Sequence, residues 1–267
     1  NYVYFANRYW RIIRINGDGT IHMIYDGTAA HQNGEASEDR QVGTSQFNTA
    51  SDNNMYLGYM YTNGEAHGLG TSSAIKQAND SFYTSVLSSY ASYIDTNAGF
   101  CGDRSTLNNQ SGVGTGTVST YMKGYLRVST STPTLSCENS SDLYTVFSSS
   151  IGNKALTYPV GLITVDEVIL SGSSGGVFDG IYNYQKSTPD NYLTTGNTYW
   201  TITPAGYYNP FGFTYWNVLL FHANTSGHID EGIASDTSAL RPVINIRSDV
   251  TVSGLGTMQN PYTFSGF

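Results

Sequence analysis

His222 and His228 stand on either side of the short polar stretch 223–227, so a hairpin there would bring two imidazoles together as metal ligands, with Asp230 and Glu231 as nearby oxygen donors. A zinc site needs three or four well-placed ligands. No cysteine or third histidine is near, so an exposed polar hairpin is expected and no metal or cofactor is assigned. His31 and His67 lie in separate polar stretches, where no pairing can be argued. The serines of 171–176 lack both the Gly-x-Ser-x-Gly spacing and the following helix that expose and activate a nucleophile, so that stretch reads as a loop ending a helix. Asp166 and Glu167 are adjacent carboxylates, but consecutive helical positions diverge by about 100°. Thr164 and Glu167 instead have the spacing of a capping box. Asn16 to Thr20 offers oxygen atoms at short spacing but is too short for a calcium loop, and it suits a hairpin turn. No set of residues points to catalysis.

The most distinctive surface chemistry lies in 207–217, which holds six aromatics in eleven residues. Tyr207, Tyr208, Asn209, Phe213, Tyr215, Trp216 and Asn217 form the predicted ligand-binding set. Tyrosine and tryptophan offer large contact area with few rotatable bonds and a polar end that can hydrogen-bond. The reading places Phe211 and Phe213 inward, and Tyr207, Tyr208, Tyr215 and Trp216 outward. A small aromatic core sealing the sheet is the other reading of the same residues.

Composition narrows the partners. Charged residues make up 12% of the 267, whereas Tyr alone contributes 22 residues, and the formal charge is -8. Average soluble domains are roughly a quarter charged, so polarity here rests on hydroxyls and amides. The clustered Lys and Arg of a nucleic-acid footprint are lacking, and nucleic acid is not an expected partner. No apolar run approaches the about 18 residues of a membrane-spanning helix. The opening residues lack the basic start and apolar middle of a signal peptide, so a soluble or mature fragment is expected. The low Lys content and abundant Asn, Ser, Thr and Tyr suit a secreted or surface-displayed chain. Cys101 and Cys137 fit one disulfide closing a loop of about 35 residues, two separate buried thiols being the other reading.

The elements that must hold these residues follow from periodicity. Residues 9–15 and 20–25 read as two strands about the turn Asn16-Gly17-Asp18-Gly19, apolar enough for burial on both faces in a central sheet. Residues 26–71 read as loops around one strand at 56–61. Ser72 or Ser73 can cap a helix whose apolar face is Ile75, Phe82, Val86, Tyr90 and Tyr93. Residues 97–155 form a disulfide-stapled excursion containing a predicted strand at 121–128. The capping box starts a short helix through Leu170. Strands follow at 199–203, 217–223 and 243–246, with Asn224 to Gly227 turning the second back toward 228–230. Arg241 is expected to be a buried strut, and Trp10 and Trp200 core residues. The class is α+β, a single domain over 1–267 with a mixed or antiparallel sheet, two helices and long irregular loops.

Five motifs carry a resemblance: YWRIIRINGDGTIHMIYDG (9–27), GLITVDEV (161–168), YWTITP (199–204), VLLFHANTSGHID (218–230) and LRPVINI (240–246). Together with FCGDRS and PTLSC around the cysteines, they resemble a family of uncharacterised bacterial surface-protein domains. Their order is also similar to the C-terminal half of the C-type-lectin-like fold in its formylglycine-generating-enzyme branch. The chain departs from that fold's active members: it has neither the Glu-Pro-Asn or Trp-Asn-Asp calcium motifs nor the reactive cysteine pair. What the resemblance implies is a non-catalytic extracellular or cell-surface recognition domain, of the kind found in adhesins and in the variable binding proteins of diversity-generating retroelements. Its ligand would be a surface protein or a glycan. The alternative is the globular subunit of a pilus or other filament, with copies of itself as partners.

Overall fold

A computed structural model describes residues 1–107, 119–172, 191–208, 217–223, 225 and 227–266. Strands β1 (Tyr2–Phe5), β2 (Arg8–Ile15) and β3 (Ile21–Gly27) open the chain as an antiparallel meander. The predicted hairpin is therefore present, and its turn is closed by Asn16 and Thr20 backbone bonds and by the Asp18 carboxylate, which accepts from the Thr20 amide and hydroxyl. Residues 28–73 supply β4 (Thr44–Gln46), β5 (Met60–Tyr61) and β6 (Thr71–Ser72). Of the strand expected at 56–61 only its end is extended, because Asn53 caps a 3-10 turn over Asn54–Leu57.

Helix α1 (Ala74–Phe82) starts where Ser73 accepts from the Lys76 amide. It continues as a π turn through Tyr83–Leu87 and a 3-10 turn through Ser88–Tyr93. The 75, 82, 86, 90, 93 periodicity thus spans one continuous rod that changes pitch. Strands β7 (Phe100–Cys101), β8 (Thr120–Tyr121) and β9 (Leu143–Tyr144) flank α2 (Lys123–Thr130). The strand expected at 121–128 is corrected here: it is two residues long and gives way to helix. Gly124 and Val128 are the buried positions of that helix, a four-residue interval that β-branched content alone had masked.

Helix α3 (Val165–Leu170) begins with both halves of the expected capping box between Thr164 and Glu167. The remaining strands are β10 (Tyr199–Tyr208), β11 (Asn217–Ala223), β12 (Ile229–Ile233), β13 (Thr237–Ala239), β14 (Val243–Ile246), β15 (Thr251–Ser253) and β16 (Thr263–Ser265). Among the described residues one sheet runs β1-β2-β3-β14, and a second runs β12-β11-β10-β13-β4 with β8 also on β10. Among the described residues the strand ladders are antiparallel except between β10 and β13, and isolated parallel bridges join Val3 to Tyr262 and Val146 to Leu156. The class is therefore α+β and mostly sheet, with three α-helices among the described residues where two were expected.

Residues 161–163 join the sheets. Gly161 exchanges two backbone bonds with Val243 of the first sheet, and Ile163 accepts from Ile202 of the second. A Cβ on Gly161 would lie 2.3 Å from the Phe100 ring, so only glycine permits that approach. Trp10 and Trp200 are fully buried, as expected, in separate clusters. Polar struts bind the same interior. Asp26 of β3 accepts from Arg40 at 2.7 Å and from Arg241 at 3.1 Å, and Arg11 lies 3.6 Å away. Arg241 also donates to the Tyr25 and Leu193 carbonyls, which is the structural role its position before Pro242 implied.

Candidate functional site

Arg14, His22 and Asn245 form a row across β2, β3 and β14, set by the registers Arg14 to His22 and His22 to Asn245. Residues in one cross-strand row share a face of the sheet. Against that face α3 brings Asp166 and Glu167, and α2 brings Arg127. The side chains enclose a cleft of about 210 Å³, with the Cys101–Cys137 disulfide in its wall. The expected bridge is therefore present, and it closes the cleft on the side of the excursion.

Each carboxylate in the cleft is engaged. Asp166 takes both Nε and Nη2 of Arg127, at 2.7 and 3.0 Å, and the Thr134 amide at 3.0 Å. Asp103 accepts from the third nitrogen of Arg127 at 2.8 Å. One Glu167 oxygen accepts from the Thr164 amide, and the other pairs with Arg14 and lies 3.1 Å from His22 Nε2. Burial, with the Arg14 charge next, pushes His22 down to about 3, and burial lowers Arg14 to about 10. The neutral imidazole has one N–H and faces two acceptors, Glu167 and Asn245, so it donates to one of them according to its tautomer. Bidentate and charge-assisted pairs of this kind hold geometry. They leave no carboxylate here unpartnered to move a proton. The volume also falls short of the roughly 300–1,000 Å³ of small-molecule sites. This cluster, whose members are scattered from residue 14 to 245, was invisible in sequence as a unit. The adjacent Asp166 and Glu167, the capping box at Thr164 and the cysteine pair were its visible parts.

The predicted binding segment divides in two. Tyr207 and Tyr208 are not outward: they are 2% and 5% exposed, and this expectation is corrected. They end β10, an inner strand paired with β11 on one side and with β13 and β8 on the other. The Tyr207 hydroxyl donates to the Asp52 carbonyl, and that of Tyr208 to Glu231 at 2.6 Å. Tyr208 stacks on Tyr121 at 4.5 Å and meets Tyr125 edge-on. This strand was expected at 199–203. It instead continues through a register irregularity at Pro204 and Gly206, where a Cβ on Gly206 would lie 2.6 Å from the Thr120 carbonyl. Asn217 opens β11 opposite Tyr208. Asn209, Phe213, Tyr215 and Trp216, with Phe211, lie outside the described residues.

Glu231 is the carboxyl most displaced toward neutrality in this region. Burial pushes it up to about 7, the Asp230 charge adding to this and the bond from Tyr208 opposing it. A carboxyl raised in the folded state favours folding below its ordinary value of 4.5 and loses that contribution as pH rises toward 7. His22 has the opposite slope, since its lowered value favours folding above 6.5 and is lost toward 3. The two oppose each other between pH 4.5 and 6.5, so only a difference measurement isolates Glu231. Thermal unfolding of the native chain and Glu231→Gln should show the native advantage shrinking from pH 4.5 to 7. Parallel curves would mean that Glu231 titrates normally.

His31 and His67 have carboxylate partners that their sequence surroundings did not reveal. His31 lies between Glu35, at 2.9 Å, and Asp39, at 2.7 Å. His67 contacts Asp142, which also takes the Arg104 side chain and amide. The backbone of His222 lies opposite that of Asp230 in the β11–β12 register. Among the described residues no group of three or more His, Cys, Asp and Glu is placed to hold a metal ion, and no helix is long and apolar enough to cross a membrane. Comparison with protein-family models, with curated proteins and with solved structures returned no match.

Proposed function

We propose that the chain is a non-catalytic recognition domain of C-type-lectin-like architecture, displayed outside the cell or on its surface, that binds a protein or a glycan through uncharged polar and aromatic surface. One observation carries this reading: the charges are used as internal struts. Arg11, Arg14, Arg40, Lys76, Arg104, Arg127 and Arg241, seven of the twelve basic side chains, are buried or half-buried against Asp26, Asp80, Asp103, Asp142, Asp166 and Glu167. Interior pairs bought by desolvation are poor acids and bases but good braces. The charge left outside is mainly acidic, which disfavours nucleic acid and other anions. The disulfide suits an oxidising compartment. The segment from Asn209 to Asn217, with Phe213, Tyr215 and Trp216, is the proposed contact region on its composition. The buried Tyr207 and Tyr208 precede it in the chain.

Binding of the labelled protein to cell surfaces and to glycan and protein arrays tests the reading across salt. From 0.1 to 1 M the screening length falls from about 10 Å to about 3 Å. Affinity should change by less than about twofold over that range, since an uncharged interface has little to screen. A steep salt dependence, or no partner in any format, would remove the proposal. Exposed Phe147, at 82%, and Ile151, at 46%, favour the second reading, a filament subunit that buries such residues against neighbouring copies. Light scattering and electron microscopy of the purified chain separate the two, because only a subunit forms ordered fibres.

A further inference from the structure

Strand β1 alternates strictly: Val3 and Phe5 are buried, and Tyr4 between them is 39% exposed. Its cross-strand partner is Tyr9, and the two rings meet edge-to-face at 5.1 Å. The pair forms one wall of an open groove of about 500 Å³, within the roughly 300–1,000 Å³ range of ligand sites. The opposite wall is the C-terminal hairpin of β15 and β16, with Gln259, Asn260 and Thr263 at the rim, and Thr28 closes one side.

Three backbone hydrogen bonds tie the hairpin to β1. Tyr4 donates to the Tyr262 carbonyl, Tyr262 to that of Tyr2, and Tyr2 to that of Gly256. Gly254 has φ +93 and no room for a side chain, since a Cβ there would lie 2.1 Å from the Pro261 carbonyl. A groove whose walls are fixed before binding loses little freedom when filled. Among the described residues its lining contains no Asp, Glu, Lys, Arg or His. Among the described residues the side-chain amides of Gln259 and Asn260 have no hydrogen-bond partner, so their donors and acceptors face the groove's solvent. Thr28, by contrast, is oriented by its bond to Asp39 at 2.8 Å.

We propose that this groove between β1–β2 and the C-terminal hairpin binds a neutral saccharide. A sugar has an apolar C–H face that rests on an aromatic ring, and hydroxyls that exchange bonds with amides and threonine hydroxyls. The groove supplies both kinds of contact side by side and no charge. A peptide fits less well along β1, because the outer edge of that strand is already taken by residue 262 of the hairpin, and the lining offers no deep apolar pocket to seat an anchor residue. An anionic ligand would meet no cation. The inference rests on the recognition reading and locates a glycan site for it.

The test uses the whole chain on an array of neutral oligosaccharides with sialylated ones alongside. Wild type should bind neutral glycans. Tyr4→Ala should weaken them about tenfold or more, the loss of one stacking contact with its buried area. Thermal unfolding checks that Tyr4→Ala folds. Should it not, Gln259→Ala/Asn260→Ala decides, since neither side chain holds the fold. Neutral glycan binding that survives both groove variants overturns the site and leaves the recognition reading intact. Binding confined to sialylated glycans, or no glycan binding by a chain that still engages protein on cells, overturns the saccharide assignment alone. A chain that binds nothing in any format overturns both.

Discussion

Asp26→Asn is expected to destabilise the chain by about 3–5 kcal/mol, the cost of leaving buried charge without its partner. Asp26 is fully buried, and Arg40 and Arg241, themselves 0% and 1% exposed, both donate to its Oδ1. Each guanidinium also has carbonyl partners. Arg40 donates to Glu35, Thr194 and Tyr192, and Arg241 to Tyr25 and Leu193. Those dipoles hold the planes in place but carry no net charge, so asparagine would leave the arginines confined together in a low dielectric. The hub joins β3, the loop that contains Arg40, the segment before β10 and the start of β14, so its loss acts on both sheets. Calorimetry should show a fall in Tm of roughly 6–20 °C for a chain of this size. Arg11→Met is the internal comparison. Arg11 stands at 3.6 Å and packs over the Tyr2 and Tyr192 rings, so Asp26 keeps its two closer partners and the cost should be smaller. An Asp26→Asn variant within about 1 kcal/mol of native would show that the carbonyls alone hold the arginines.

The second large effect is expected from Cys101→Ser with Cys137→Ser. The bridge spans 36 residues, and loop-closure entropy for that length corresponds to about 4 kcal/mol. It ties β7 to the segment after α2 that carries Thr134, whose amide reaches Asp166. Removing it should free the wall of the ionic cleft first. The Arg104–Asp142 pair and the β7–β9 pairing hold the rest of the excursion. Denaturant unfolding should therefore show both the lower stability and new protease sensitivity near residue 135, where Leu135 is already exposed. A loss under about 1 kcal/mol would assign the excursion to its polar network and not to the bridge.

Local features were legible where one interaction dominates. The 16–20 turn, the Ser73 cap and the Thr164 capping box each depend on a few neighbouring residues, and each is present. The cysteine pair was readable because two thiols in a low-charge chain have few other uses. The strand read at 121–128 failed because its β-branched and aromatic content outweighed a weak four-residue interval, whereas contact with α3 and β10 stabilises it as helix α2. Tyr207 and Tyr208 failed for a related reason. Proline and glycine usually end a strand, but here they sit at an irregularity that the sheet spans.

By itself, then, the sequence determined the α+β class, the opening hairpin, both short caps and the buried role of Arg241, and it favoured the bridge between its two cysteines over two separate thiols. Only the tertiary structure decided which polar groups meet: Arg14 with Glu167, Arg127 with Asp103 and Asp166, Asp26 with Arg40 and Arg241, and Tyr4 and Tyr9 with the hairpin near Asn260. Periodicity reports which face of an element is apolar, a property of neighbours in the chain. The partner of a buried charge is chosen by sheet order and register across hundreds of residues, and no local pattern encodes that distance.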